Sequence, residues 1–158
     1  MAFHIALVEP EIPPNTGNIS RLCSVTGTVL HLVRPLGFSI DDRSLKRAGL
    51  DYWHLLDIHV HDNWDAFADS VLAHHRGFFL TTKADKAYTA PRYQDGDVFV
   101  FGPETRGLSA EVLALHPEHN VRVPMLPDTR SLNLSSAAAI VLYEALRQSG
   151  FPDLQPRP

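Results

Sequence analysis

The chain has 158 residues, 44% of them hydrophobic and 20% charged, with a formal net charge of -4. That length fits one domain whose core needs neither disulfides nor metal, and the balance is that of an ordinary globular protein. The charge argues against a protein that coats nucleic acid, although a local basic patch stays open. The single cysteine, Cys23, has no internal partner and sits in an apolar run, so it reads as core. The first residues reach Glu9 too soon for a signal peptide, and no apolar run has membrane-spanning length. A soluble, cytoplasmic protein is expected.

Phe3–Val8 is a charge-free run that fits a strand buried on both faces. Three prolines in EPEIPPNTGN then fix an extended loop, and Asn15 or Thr16 can cap a helix that runs to about Thr26, with Gly27 as its stop. Val29–Val33 is the next strand. Asp41 can cap a short basic helix carrying Arg43, Lys46 and Arg47, and Ile58–Val60 is a short strand. Trp64, Phe67, Ala68, Val71 and Leu72 have helical spacing within Asn63–His74. Strands follow at Phe78–Thr81 and Val98–Phe101, then a helix capped by Ser109 and a strand at Val121–Pro124. The last helix starts among Asn133, Ser135 and Ser136 and runs to Gln148. Glu144 is its only charge between Ala137 and Leu146, so burial on several sides is expected, by its own sheet and by something further, for which a second copy of the chain is one candidate. Residues 149–158, rich in proline, read as a tail.

Charge-free strands alternating with helices indicate an α/β domain with a mainly parallel sheet flanked by helices. Such sheets bind ligands beyond the carboxyl ends of their strands. The loops there are Glu9–Asn18, Thr81–Lys86, Gly102–Gly107 and Leu126–Asn133. The common nucleotide signatures are missing: no GxGxxG follows the first strand, and GPETRG is followed by Leu108 where a P-loop needs lysine. His59-x-His61 and His74-His75 read as solvated side chains rather than metal ligands, and no Ser elbow is present.

Three polar patches remain: Asn15-Thr-Gly-Asn-Ile-Ser-Arg21, Gly102-Pro-Glu-Thr-Arg-Gly107 and Ser131-Leu-Asn-Leu-Ser135. Taken singly each has a structural reading, with Asn15 and Asn133 as caps and Glu104 as a helix-end acid. Together, on one side of the sheet, they are far more specific. In this order they resemble the three motifs of the SpoU branch of the SPOUT-superfamily RNA 2′-O-ribose methyltransferases. The resemblance extends through VEPEIPPNTGNISRLC, RAGLDYW, YQDGD and FGPETRGL and covers essentially the whole chain. It is strongest to the small single-domain members that act at the tRNA wobble position, on cytidine or a modified uridine of leucine tRNAs.

The resemblance implies one SPOUT domain over residues 1–158 with a C-terminal trefoil knot, an obligate homodimer, and S-adenosyl-L-methionine as cofactor without metal. By position it implies a cofactor pocket of Leu80, Gly102, Val123, Ser131 and Leu132, with glycine at 102 letting backbone approach a flat ligand. It implies catalytic roles for Arg21, Asn15, Glu104 and Asn133. Arginine is a poor base at its high pKa, so Arg21 is expected as a cationic clamp on RNA phosphate and developing alkoxide charge. One departure is Ser136, where the family commonly has asparagine after Ser-Leu-Asn-x-Ser. The negative net charge implies a small footprint, an anticodon stem-loop. The alternatives are another tRNA or ribosomal-RNA site, or a catalytically silent RNA-binding module on the same fold.

Overall fold

The charge-free runs at the start and near position 100 become the two central strands of a sheet, β1 (His4–Val8) and β5 (Val98–Phe101). The computed structural model describes residues 2–41, 43, 47 and 54–154. Lys46 and residues 48–53, which hold part of the expected basic helix and of the RAGLDYW stretch, lie outside the described residues, as does the tail from 155. The other strands are β2 (Val29–Val33), β3 (Ile58–His61), β4 (Gly77–Leu80) and β6 (Asn120–Val121). Among the described residues they form one sheet in the order β3-β2-β1-β5-β4-β6, every pair parallel.

The two-residue period of a strand sends Ile5 and Leu7 to one face and Ala6 and Val8 to the other. On the first face Ile5, Leu7, Leu30, Leu32 and Phe99 pack against α1 (Pro13–Thr26) and α4 (Leu134–Gln148) through Ile19, Cys23, Val141, Leu142 and Ala145. On the second, Ala6, Val8, Val33, Val98 and Val100 pack against Phe67 and Val71 of α2 (Trp64–Phe67) and the π-helical turn Ala68–Leu72 that continues it. Burial on both faces is why these strands carry no charge. The short helix α3 (Ala110–Leu113) is capped by Ser109, whose Oγ accepts from Val112 N at 3.2 Å.

The order in which strands are added reverses between β1 and β5: β2 and β3 build outward on one side, β4 and β6 on the other. A crevice at the carboxyl ends of the strands flanking such a switch point is the usual ligand site of an open α/β sheet.

Several elements differ from the sequence reading. The cap of α1 is Ile12, with no side-chain cap bond, rather than Asn15 or Thr16. Pro13 and Pro14 occupy the first turn, where a missing N–H costs nothing. Gly27 ends the helix as expected, left-handed at φ 69° with its N–H on Cys23 O. The helix predicted to reach His74 stops at Leu72, and β6 ends at Val121, with Arg122 in an isolated bridge to Ala87. Proline 124 has no N–H to extend the ladder. Helix α4 buries one face, Ala138, Val141, Leu142, Ala145 and Leu146, while Ile140 and Tyr143 face outward, 37% and 44% exposed. Tyr143 is therefore not a core residue of the chain. Past α4 the chain folds back, Phe151 N donating to Leu146 O and Leu154 packing on the core. No helix among the described residues is long and apolar enough to cross a membrane.

Candidate active site

At the switch point the loop after β1 meets the loop after β5, and two crossed carboxylates hold them together. Glu104 accepts from Glu11 N at 2.8 Å through Oε1 and from Ile12 N at 2.8 Å through Oε2. These donors sit at the start of α1, where backbone N–H groups lack helical partners and the dipole favours a negative charge. The cap of α1 thus comes from a carboxylate about ninety residues away in sequence rather than from Asn15.

That arrangement frees the Asn15 side chain, which is 6% exposed. Its Nδ2 donates to Glu104 Oε2 at 3.3 Å, and its Oδ1 accepts from Asn133 Nδ2 at 3.0 Å. Asn133 in turn caps α4, its Oδ1 accepting from Ser135 N at 2.9 Å and Ser136 N at 3.3 Å. One hydrogen-bonded chain therefore runs from the β5 loop through α1 to the start of α4. Asn133 is a cap, as its residue type suggests, and its other end is spent on Asn15.

Beside this chain lies a cavity of about 680 Å³, within the range typical of small-molecule sites. Leu80, Gly102, Val123, Ser131 and Leu132 all line it, with Asn15, Glu104 and Asn133. Arg21 does not. It is exposed on α1, six residues past Asn15, which places it about 9 Å further along the axis and about 120° round. The structure brings together every expected site residue except this arginine.

The wall also contains residues the sequence reading did not assign: Thr81, Thr82 and Lys83 after β4, and Met125 after β6. Thr81, Thr82 and Lys83 belong to one of the four expected loops and Met125 immediately precedes another, but nothing in the composition marks these side chains. Lys83, Arg106 and Arg130 give the wall positive charge; Arg106 also lies 3.7 Å from Glu9. Leu80, Phe101, Val123 and Leu132 supply flat apolar surface, and the loops supply backbone donors and acceptors. Such a lining fits a ligand with an aromatic ring and a polar end, as S-adenosylmethionine is. Among the described residues no cluster of histidine, cysteine or carboxylate side chains is arranged to hold a metal ion.

Glycine at 102 also has a reason within the chain itself. A Cβ there would lie 2.3 Å from Leu108 N and 2.4 Å from Gly107 C, so the loop closes on its own backbone at this point. Gly107, left-handed at φ 70°, makes that closure possible. Gly102→Ala is expected to destabilise the fold by about 3 kcal/mol or more, because backbone rather than a side-chain end must move. Urea unfolding measures this, and a midpoint equal to wild type would contradict it.

The sequence profile of the SpoU rRNA methylase family matches residues 2–143. The chain is 59% identical over 150 residues to a tRNA (cytidine(34)-2′-O)-methyltransferase of Methylovorus glucosotrophus, covering 94% of this chain and 97% of that protein. It is 53% identical over 151 residues to the enzyme of the same description from Escherichia coli K12, covering 95% and 96%. A structure solved for insight into the 2-OH methylation of C/U34 on tRNA superposes with a TM-score of 0.90 at 42% identity, over 94% of this chain and 97% of that one. With the parallel sheet, the reversal between β1 and β5 and the three motifs at one cavity, the match leaves no ambiguity of family: the chain belongs to the SpoU rRNA methylase family, on the SPOUT methyltransferase fold.

Proposed function

We propose that the protein is an S-adenosylmethionine-dependent methyltransferase that methylates the ribose 2′-hydroxyl of the wobble nucleotide of tRNA, cytidine 34 or a modified uridine 34, in leucine tRNAs. The observation that carries this reading is the convergence of Asn15, Glu104 and Asn133, from three distant segments, on the mouth of one cavity. Two relatives at over half identity bear the tRNA (cytidine(34)-2′-O)-methyltransferase description along nearly their whole length. The wobble nucleotide places the substrate contact at the anticodon stem-loop, and a tRNA substrate implies a cytoplasmic protein.

Leu80, Val123 and Leu132 would grip the cofactor's ring, and the Gly102 and Ser131 loops its polar groups. The cofactor, when bound, supplies a methyl group on a sulfonium that is its own leaving group, so the chemistry calls for no metal. The protein's task is then alignment of the attacking oxygen and electrostatic support. Asn15 and Asn133, held rigid by Glu104 and by α4, orient the ribose. Arg21 acts as a clamp on phosphate and on developing alkoxide charge, reaching the site from a second copy of the chain. The outward Ile140 and Tyr143 of α4 and Val25 of α1, exposed by 37%, 44% and 45%, favour such a homodimer.

A trefoil knot at the C-terminus belongs to the same proposal. The 84–97 loop is tied across the returning chain: Tyr88 N donates to Arg122 O, Arg122 N to Lys86 O, and Gln148 Nε2 to Pro91 O. A C-terminal segment passing inside that loop accounts for these bonds.

Methyl transfer from labelled cofactor to tRNA of a strain lacking wobble methylation tests the reading. Label on the ribose of nucleotide 34 is expected; label elsewhere, or none, overturns it in favour of another RNA site or a silent binding module. Arg21→Ala is expected to lower kcat by about 100-fold while cofactor affinity changes little, and Arg21→Lys to restore only a small part. Calorimetry with cofactor alone separates the two effects.

A further inference from the structure

Glu11 does not line the cavity, yet it answers Glu104 bond for bond. While Glu104 accepts from the backbone of residues 11 and 12, Glu11 Oε1 accepts from Thr105 N at 3.0 Å and Thr105 Oγ1 at 2.8 Å. The result is a reciprocal clasp: each segment's carboxylate satisfies the other segment's orphan N–H. It has the logic of a capping box, with its halves on different strands' loops.

The clasp is also closed from behind. A Cβ at Gly37 would lie 2.8 Å from Glu11 Cα and 3.0 Å from Glu11 O, and Gly37 N donates to Pro10 O at 2.9 Å. Residue 11 therefore has backbone pressed against it on one side and the 104–105 turn bonded to it on the other. The Thr105 bonds, with Arg106 nearby, hold the Glu11 carboxyl below the usual carboxylate range, so it stays an acceptor at neutral pH.

Resting on the proposed methyl transfer, we infer that Glu11 is a positioning residue. Crossed with Glu104, its carboxylate fixes α1 against the 102–107 loop and thereby sets Asn15 and Asn133 at the cavity mouth. The 103–107 turn is closed on itself by Gly107 N on Pro103 O at 2.8 Å, and Glu104 ties that closed turn to the start of α1 through one side chain. The two Thr105 bonds add a second attachment, so the position of Asn15 is defined by a closed ring of bonds rather than by one rotamer.

The test compares Glu11→Ala, Glu11→Gln, Thr105→Val and the double variant Glu11→Ala/Thr105→Val. Glu11→Ala is expected to lower kcat about 10–30-fold while the Kd for S-adenosylmethionine, measured by calorimetry, moves less than about threefold. Glu11→Gln keeps a carbonyl oxygen for both Thr105 donors and is expected within about threefold of wild type. The double variant is expected to be no slower than Glu11→Ala, because both changes break one link. A folded Glu11→Ala within twofold of wild type, a Gln variant no better than Ala, or additive losses would each overturn the inference. If Glu11→Ala does not fold, a several-fold slower Thr105→Val beside a near-normal Glu11→Gln supports it, and wild-type rates in both overturn it. An activity-free readout separates this inference from the functional reading. The side-chain amide resonances of Asn15 and Asn133 are expected to shift in Glu11→Ala, or in Thr105→Val if that variant does not fold, and to return in Glu11→Gln. Unmoved resonances sink the clasp even if wild-type protein proves inactive on tRNA.

Discussion

Glu104→Gln, a change of almost no volume, will cost the protein most of its turnover and a measurable part of its stability. The carboxylate accepts three bonds on two oxygens: Glu11 N on Oε1, Ile12 N and Asn15 Nδ2 on Oε2. A glutamine has one oxygen and one NH₂, so in either orientation at least one N–H donor meets another donor. If the amide nitrogen replaces Oε1, Glu11 N is orphaned; if it replaces Oε2, Ile12 N and Asn15 lose their acceptor together. Bonds to a charged acceptor are worth about 1.5–3 kcal/mol each, and the negative charge at the start of α1 adds about 0.3–1 kcal/mol more. The expected stability loss is about 2–3 kcal/mol, read from the urea midpoint. Asn15 loses its acceptor in the second orientation, and in the first the orphaned Glu11 N loosens the start of the helix that carries Asn15, so a fall in kcat of about 100-fold is expected, read from initial rates of methyl transfer. A glutamine variant keeping half its turnover would mean that the carboxylate does not hold Asn15 for chemistry.

The strands were legible because two-sided burial leaves a plain trace, an uncharged β-rich run, in His4–Val8, Val29–Val33 and Val98–Phe101. The crevice was legible because three of the four loops after these strands are rich in Gly, Pro and polar groups, and the strands can be assumed parallel. What escaped was non-local. Asn15 reads as a cap because asparagine is a good one; nothing near it reveals that Glu104 serves the helix instead. Glu11 was passed over for the same reason, since its partner lies 94 residues away. The spacing of Trp64, Phe67 and Val71 is equally compatible with α and π turns, so the change at Ala68 left no signal. The outward face of α4 was also invisible: an apolar helix declares that it is covered, and its sequence does not say by what.

The histidines show the same limit, with a larger physical consequence. Read one at a time they are solvated side chains. The register of the sheet, Ala6 beside His31 and Val33 beside His61, instead puts His4, His31 and His61 in a row on one face. His4 Nδ1 lies 2.9 Å from His31 Nε2, and His31 Nδ1 lies 3.0 Å from His61 Nε2. The Phe67 ring packs against His31 and His61, and His31 is only 4% exposed. Neutral imidazoles suit such a row, each donating through one nitrogen and accepting through the other.

Acid will therefore unfold this protein from a higher pH than its carboxylates alone would set. Burial, reinforced by His4 and His61, pushes His31 down to about 3. Burial and His75 push His4 down to about 4, against the opposing pull of Asp57 and Asp95, and burial and His59 lower His61. Around the row, Asp57 is engaged by His59 at 2.7 Å and Asp95 by Ala2 N at 2.8 Å, so neither carboxylate is placed to neutralise His31. In the unfolded chain these groups titrate near 6.5. Because the folded values are the lower ones, the unfolded state binds more protons below that point. Stability should be level above about pH 6.5 and fall as pH drops toward the folded values. With partly exposed His4 discounted for solvent screening, the loss should reach roughly 3 kcal/mol by about pH 4.5. Much of it should come before about pH 5, while carboxylates are still ionised. Urea midpoints at fixed protein concentration from pH 7.5 to 4.5 measure the slope, and His31→Phe should flatten it by removing the central imidazole. A wild-type curve already flat between pH 7 and 5 would show that the row accepts protons in the folded state as easily as out of it.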